Sequence, residues 1–243
     1  MSLITPLLLP IVVPQAFWVA ARAARLPEAD GPREGRLGHG APLRVLIVGD
    51  SSAAGVGVDH QSEALSGQLT GLLARRFAVQ WRLIARSGAT SGSLLALLDE
   101  SEAASFDMAV VALGVNDAKN GHATRTWERG YGAVLDLLEE KFGVTRIYAC
   151  GFPPVRVLPR LPPPLKSVLA DRCDAFDAVM RRIVAERPVA RYVPLTLTGD
   201  SRLMASDGFH PGPKLYAEWA GILEPRVIED FPAGVVLDRI RPD

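Results

Sequence analysis

The chain has 243 residues, of which 48% are hydrophobic and 22% are charged. This length and composition suffice for the core of one sizeable domain and exclude a disordered or collagen-like chain. Basic and acidic residues number 27 each, so the net charge is zero and we expect no nucleic-acid partner. The two cysteines, Cys150 and Cys173, are too few for a zinc cluster, and we expect buried or spare thiols.

The amino-terminal segment is apolar. Residues 2–21 carry no charge, and a helix of that length would span about 30 Å. Three prolines make a straight membrane-spanning helix unfavourable: Pro6, Pro10 and Pro14. Basic residues follow the apolar run, at Arg22 and Arg25, instead of preceding it as in a secretory signal. We expect residues 1–25 to form either an arm packed on the domain or a membrane-contacting segment, in a cytoplasmic or membrane-peripheral protein.

The rest of the chain predicts a linker followed by one α/β domain. Residues 26–42 mix proline, glycine and charge without apolar periodicity, which predicts a linker and a folded domain over 43–243. Short β-branched runs predict five strands, over 43–48, 80–85, 108–113, 145–151 and 191–195. Helical periodicity predicts intervening and final helices over 63–77, 91–98, 126–142, 167–187 and 213–228. The alternation predicts a three-layer α/β/α sandwich with a five-stranded parallel sheet.

Polar motifs follow the predicted strand ends. They are Gly49-Asp50-Ser51, Arg86-Ser87-Gly88-Ala89, Gly114-Val115-Asn116-Asp117 and Asp207-Gly208-Phe209-His210. Ligands of such sheets bind outside the carboxyl ends of the strands, so we expect these motifs to meet at one edge. A serine hydroxyl needs a base to become a nucleophile, and histidine is the usual one. The set therefore supplies a nucleophile, candidate oxyanion donors and an acid-plus-base pair.

Each motif alone has a structural alternative. Ser51 could be a helix N-cap, and the other motifs could shape turns or caps. Asp50 and Asp117, with Asn116 and His210, could also bind a divalent ion. The tripeptide recurs at 199–201, but no glycine-containing turn and no long helix follow it there, so Ser51 is the preferred nucleophile over Ser201.

All four motifs, in this order and at predicted strand ends, resemble the blocks of the SGNH (GDSL-like) hydrolases over about residues 43–219. One position departs from the family pattern, because Ser52 stands where the namesake tetrapeptide has leucine. The resemblance implies a flavodoxin-like fold and chemistry that needs no cofactor and no metal.

By this resemblance, Ser51 is the nucleophile, His210 its base and Asp207 the residue that orients the imidazole. The backbone N–H groups of Ser51 and Gly88 and the side-chain amide of Asn116 would form the oxyanion hole. Glycine suits position 88 because a side chain there would crowd the approach of the substrate.

The implied function is a serine carboxylester hydrolase that acts through an acyl-enzyme on short- to medium-chain acyl esters or lipid esters. The alternatives are a membrane-associated acyltransferase and a non-catalytic binding protein of the same fold. A proline-rich loop is expected over the site, at 152–164, and its apolar side chains would either line an acyl site or anchor the loop: Phe152, Val155, Val157, Leu158 and Leu161.

Overall fold

A six-stranded sheet forms the middle layer of the protein, and the computed structural model describes residues 5–22, 24–197 and 200–232. The strands are β1 (Glu34–Leu37), β2 (Ala41–Gly49), β3 (Phe77–Ala85), β4 (Met108–Ala112), β5 (Arg146–Cys150) and β6 (Ala190–Val193). They lie in the order β1-β3-β2-β4-β5-β6, with β1 antiparallel and the others parallel. Without β1 this is the doubly wound order of flavodoxin-like folds, and the predicted α/β/α sandwich is confirmed.

The strand count differs from the prediction, because the sheet has an additional antiparallel edge strand. β1 lies within residues 26–42, which the sequence predicts to be a linker. It pairs with β3 in the register Glu34 to Arg82 and Gly35 to Trp81, and the Glu34 carboxylate binds the Arg82 guanidinium. Backbone pairing at a solvent edge requires no apolar side chains, so the composition of β1 gives no strand signal.

Helices cover both faces of the sheet. In the described residues they are α1 (Thr5–Arg22), α2 (Leu65–Leu73), α3 (Ser91–Glu100), α4 (Val115–Lys119), α5 (Thr124–Glu140), α6 (Leu165–Ala185) and α7 (Pro213–Asp230). Along β2 the side chains alternate between two cores. Leu46 and Val48 join the core beneath α3, α5 and α6, whereas Val45 and Ile47 join the core beneath α2 and α7.

The helix α1 packs on the same face as α6. Its Val12 side chain is buried in the core, and its Gln15 amide both donates to the Pro163 carbonyl and accepts from the Leu165 N–H, at 3.0 and 3.2 Å. Pro10 and Pro14 lie within this helix. No helix in the described part of the chain is both long and apolar enough to cross a membrane.

The segment before β1 is also tied into the domain, by the buried side chain of Gln61. The Gln61 amide nitrogen donates to the carbonyls of Ala29 and Ala54, at 3.1 and 2.9 Å, and its oxygen accepts from the Ser66 hydroxyl at 2.7 Å. Gln61 is 1% exposed, so water cannot replace these bonds. One side chain thus joins the segment at 29 to the loop that follows β2.

We expect Gln61→Met to lower the free energy of unfolding by about 2 to 3 kcal/mol, because it leaves buried carbonyl and hydroxyl groups without their partner. Urea unfolding followed by circular dichroism measures the change. Gln68→Met is the control, since the Gln68 amide makes one long, exposed bond to the Ser62 carbonyl. Equal losses in the two variants would contradict the assignment of Gln61 as a tie between segments.

Candidate active site

Ser51 lies in the turn directly after β2, at the carboxyl edge of the sheet. The Asp50 N–H donates to the Ala112 carbonyl at 3.0 Å, and the Ser51 carbonyl accepts from the Val56 N–H at 3.0 Å. The next helix, α2, begins only at Leu65, so Ser51 is not placed as its N-cap. Backbone hydrogen bonds therefore hold this turn in place. The Ser51 hydroxyl is not needed to cap a helix and can bond to another side chain.

The structure brings Ser51, His210 and Asp207 into one chain of hydrogen bonds. The distance from Ser51 Oγ to His210 Nε2 is 2.9 Å, and that from His210 Nδ1 to Asp207 Oδ2 is 2.5 Å. The second carboxylate oxygen, Oδ1, accepts the N–H groups of Phe209 and His210 at 2.9 and 3.1 Å. This arrangement can move a proton from the hydroxyl to the imidazole.

The Asp207 carboxyl is 2% exposed. Burial alone would raise its pKa, but the bonds from the His210 ring and from the two backbone N–H groups lower the pKa below its ordinary value. Asp207 is thus a carboxylate at neutral pH and accepts the hydrogen on His210 Nδ1. That tautomer leaves Nε2 free to accept the Ser51 hydroxyl hydrogen.

Gly88 and Asn116 lie at the same edge of the sheet. Gly88 adopts φ +78°, a conformation that favours glycine, and a Cβ there would meet no atom of the described residues within 4 Å. The positive φ gives a backbone reason for glycine at this position, and the expectation that a side chain would crowd an approaching substrate stays a prediction. The buried Asn116 amide donates to the Ala89 carbonyl at 3.0 Å and lies 3.4 Å from Asp50 Oδ2.

The loop before Gly88 has a partner that the sequence analysis missed. Glu28 Oε1 accepts the Ser87 N–H at 2.6 Å, and Glu28 Oε2 accepts from the Arg33 guanidinium at 2.8 Å. Arg33 also donates to the Ala85 carbonyl, at the end of β3. Burial acts to raise the pKa of the Glu28 carboxyl, but these hydrogen bonds outweigh burial, and the pKa lies below its ordinary value. The Glu28 side chain is therefore a carboxylate. Residue type and spacing in 26–42 carry no signal for this long-range contact.

Asp117 is engaged elsewhere. Its carboxylate accepts the N–H and the hydroxyl of Ser91, at the start of α3, at 2.9 and 2.7 Å. It also binds His122 Nδ1 at 3.0 Å, although the sequence indicates no partner for that histidine. Among the described residues no cluster of acidic, histidine and cysteine side chains could hold a metal ion.

Ser201 is not a member of the hydrogen-bonded chain of Ser51, His210 and Asp207. It is exposed on a short 3₁₀ turn, Ser201–Leu203, whose preceding Asp200 accepts the Arg202 N–H. Asp200 and Ser201 of the repeated tripeptide thus shape a turn, and Gly199 lies outside the described residues. Both ring nitrogens of His210 contact Asp207 and Ser51 instead.

An apolar pocket opens beside Asp50 and Ser52. Phe152, Pro154 and Leu158 of the proline-rich loop line one side, and Leu195 and Phe209 belong to its other walls. The remaining loop residues take other positions, since Val155 and Leu161 are buried in the core and Val157 is exposed. The loop therefore both lines a pocket and anchors itself.

The sequence of the chain matches one protein family. The model described as the GDSL-like lipase/acylhydrolase family covers residues 47–218. No curated protein matches the chain in sequence.

Solved structures resemble the chain in fold. TesA aligns at 22% identity and TM-score 0.58, over 76% of this chain and 97% of that one. The psychrotrophic esterase EstA from Pseudoalteromonas sp. aligns at 21% identity and TM-score 0.57, over 76% and 97%. The lipase/acylhydrolase from Enterococcus faecalis aligns at 17% identity and TM-score 0.60, over 77% and 96%.

Asp50 is a buried carboxyl whose titration is testable. It is 5% exposed, and burial raises its pKa to about 6, although the Ser52 N–H and the charges of His210 and Lys119 act in the opposite direction. The native state therefore binds this proton more tightly than the unfolded state does. The resulting stabilisation is present below the unfolded pKa of about 4 and is lost as pH rises through 6.

We compare the free energies of unfolding of Asp50→Asn and the natural protein at about pH 4.5 and about pH 7.5. We expect the difference to change by about 2 kcal/mol in favour of the variant as the pH rises, because the variant has no charge to bury. Urea unfolding of both proteins at the two pH values measures the difference. Asp59→Asn, which removes an exposed carboxylate, is the control. A gain that does not change with pH would show that Asp50 is ionised throughout this range.

Proposed function

The chain belongs to the GDSL-like lipase/acylhydrolase family, and on that premise we propose that it is a carboxylester hydrolase with Ser51 as its nucleophile. The observation that carries the proposal is the chain of contacts from Ser51 Oγ to His210 Nε2 and from His210 Nδ1 to Asp207, at 2.9 and 2.5 Å. A hydroxyl bonded to an oriented imidazole can lose its proton as it attacks a carbonyl carbon.

In the acylation step, Ser51 Oγ bonds to the ester carbonyl carbon while its proton moves to His210 Nε2. The tetrahedral intermediate collapses, His210 returns the proton to the departing alkoxide, and an alcohol leaves an acyl-enzyme. Water then attacks the acyl carbon and gives a proton to His210, which passes it to Ser51 Oγ as the carboxylic acid leaves. The Asp207 carboxylate stabilises the imidazolium in both steps.

The negative charge on the carbonyl oxygen needs donors that are fixed in advance. We assign this role to the backbone N–H groups of Ser51 and Gly88 and to the Asn116 amide, each worth about 3 to 4 kcal/mol of barrier. The contact between the Asn116 amide and the Ala89 carbonyl supports the assignment, because it places that amide against the residue after Gly88. The amide also donates to Asp50 Oδ2 over a long 3.4 Å, and we propose that the substrate oxygen replaces this weaker contact.

The pocket supports an ester with an apolar acyl group. Most of the side chains that line it, such as Phe152 and Leu158, provide apolar surface for the acyl chain. We assign short- to medium-chain acyl esters or lipid esters as the substrate class. Lipid esters lie at a membrane surface. A membrane contact of the amino-terminal segment would therefore favour lipid esters as the substrate.

We expect Ser51→Ala to lower the kcat for p-nitrophenyl esters by about 10³-fold or more, since it removes the attacking oxygen. Ser201→Ala is the matched control and should hydrolyse like the natural protein. A fluorophosphonate probe, which phosphonylates activated serines with loss of fluoride, should label the natural protein and Ser201→Ala and should not label Ser51→Ala.

Three outcomes contradict this proposal in different ways. Labelling without hydrolysis, with the acyl group passed to an added alcohol, would favour an acyltransferase. A folded natural protein that is not labelled would favour a binding protein. Equal activity in Ser51→Ala and the natural protein would place the nucleophile elsewhere.

A second prediction concerns Glu28, which we propose as a positioning residue for the Gly88 N–H. We expect Glu28→Ala to lower kcat about 10-fold and to leave KM nearly unchanged. This loss is smaller than that caused by deleting an oxyanion donor outright, because the Gly88 N–H is displaced and not removed. The reason is that the Ser87 N–H loses its acceptor and the donor loop loses its fixed position. Glu28→Gln keeps an acceptor oxygen and should recover most of the kcat.

The control for this prediction is Glu34→Ala. Glu34 is a carboxylate of the same segment that binds Arg82 at the sheet edge, so its loss should leave kcat unchanged. Steady-state kinetics on p-nitrophenyl acetate separate kcat from KM for the three variants. A fall in kcat that is equal in Glu28→Ala and Glu34→Ala would indicate general destabilisation of the segment.

A further inference from the structure

The outer surface of α1 is apolar and exposed. Six large hydrophobic side chains of this helix are exposed: Leu7, Leu9, Ile11, Val13, Phe17 and Trp18. The only other one in the described residues is Val157, in the proline-rich loop. Leu7 is 78% exposed and Phe17 is 73% exposed. Soluble monomers rarely expose a contiguous apolar surface of this kind, so a partner for it is expected.

The shape of this surface favours a lipid layer over a protein. At 3.6 residues per turn, the six side chains spread over about 200° of the helix circumference. A flat protein surface contacts only one side of a helix. The interface between headgroups and acyl chains of a bilayer instead surrounds all the exposed sides of a helix that lies in it. The remaining arc, with Val12 and Gln15, packs on the domain.

The charges around the helix select the lipid. From residue 5 to residue 27 the chain has no acidic side chain, and two arginines follow the apolar run, Arg22 and Arg25. The Arg22 guanidinium lies 4.5 Å from the centre of the Trp18 ring, and tryptophan and arginine are both typical of the membrane interface. This arrangement complements an anionic surface.

The helix is hydrogen-bonded to the end of the proline-rich loop. Gln15 binds the Pro163 carbonyl and the Leu165 N–H, at the end of the loop whose earlier residues, Phe152 and Leu158, line the pocket. The proline-rich loop therefore connects the residues that α1 contacts to the wall of the acyl pocket.

We propose that α1 docks the protein on anionic lipid bilayers, with its outer face at the headgroup and acyl boundary, and so presents lipid esters to the pocket. The substrate part of this inference rests on the proposed ester hydrolysis, whereas the docking part stands by itself. The helix lies on the bilayer in this arrangement, as an interfacial helix that is also packed on its own domain.

The test uses the full chain and sedimentation with vesicles of phosphatidylcholine, alone or mixed with phosphatidylglycerol. We expect the natural protein to sediment with the mixed vesicles. Phe17→Ser combined with Trp18→Ser should reduce the bound fraction about 10-fold, since it removes the most membrane-active side chains of the outer face. Unchanged binding by this double variant, or no binding by the natural protein, would overturn the proposal.

Two double variants test whether the charges beside α1 contribute to binding. Arg22→Gln with Arg25→Gln should weaken binding to the mixed vesicles, whereas Arg75→Gln with Arg76→Gln should not. The control removes the same charge from exposed positions between α2 and β3, at the opposite edge of the sheet. Equal losses in the two pairs would show that net charge alone drives binding.

Two further measurements separate this proposal from its rivals and from the hydrolase assignment. All variants should hydrolyse soluble p-nitrophenyl acetate like the natural protein, and Phe17→Ser with Trp18→Ser should lose hydrolysis of an ester embedded in the mixed vesicles. Light scattering reports the oligomeric state. A natural dimer that the double variant dissociates would assign the face to a second copy of the chain and overturn lipid docking.

Discussion

The candidate site depends on the register of three parallel strands. Gly49 of β2 lies beside Ala85 of β3 and Ala112 of β4, so the residues that follow the three strands leave the sheet at one level. Ser51, Gly88 and Asn116 are the second, third and fourth residues after these positions. A one-residue slip of β2 would exchange its two buried faces, and both of them are apolar and packed. The same packing that stabilises the sheet therefore sets the positions of the polar groups.

Three buried carboxyl groups surround the site, and their partners decide what each can do. Asp207 is bonded to His210 and two backbone N–H groups, and its pKa is low. Asp117 is satisfied by Ser91 and His122, which join α4 to α3. Asp50 accepts one backbone N–H at 3.0 Å and lies beside Asn116, and its pKa is raised. Burial raises the pKa of Asp50 above its ordinary value, whereas the His210 ring and two backbone N–H groups outweigh burial at Asp207 and lower its pKa.

The sequence predicts the parts of the fold that depend on local pattern. The strand from 108 is apolar throughout because helices cover both its faces, and that pattern is visible in the sequence. The resemblance to the SGNH hydrolases implies a triad of Ser51, Asp207 and His210, and the structure brings these three side chains together. Both results rest on information carried by short stretches of chain.

Long-range contacts of polar residues leave no such pattern. Edge strand β1 is held by backbone pairing, and Glu28 reaches Ser87 through a contact between residues far apart in sequence. The helix α1 also forms despite its prolines, because its inner face packs on the domain and Gln15 bonds to the start of α6. In each case tertiary packing decides the structure of residues whose local propensity points elsewhere.

The amino-terminal segment holds two walls of the candidate site. Glu28 fixes the loop before Gly88 on one side, and Gln15 fixes the end of the loop that lines the apolar pocket on the other. Arg33 and Gln61 connect this segment to the ends of β3 and to the turn after β2. The two hydrogen bonds of Gln15 therefore join α1 to the end of the proline-rich loop, whereas the triad is held by bonds within its own loops. In the docking arrangement that we propose, contact with α1 would therefore act on the loop that lines the pocket and not on the hydrogen bonds between Ser51, His210 and Asp207.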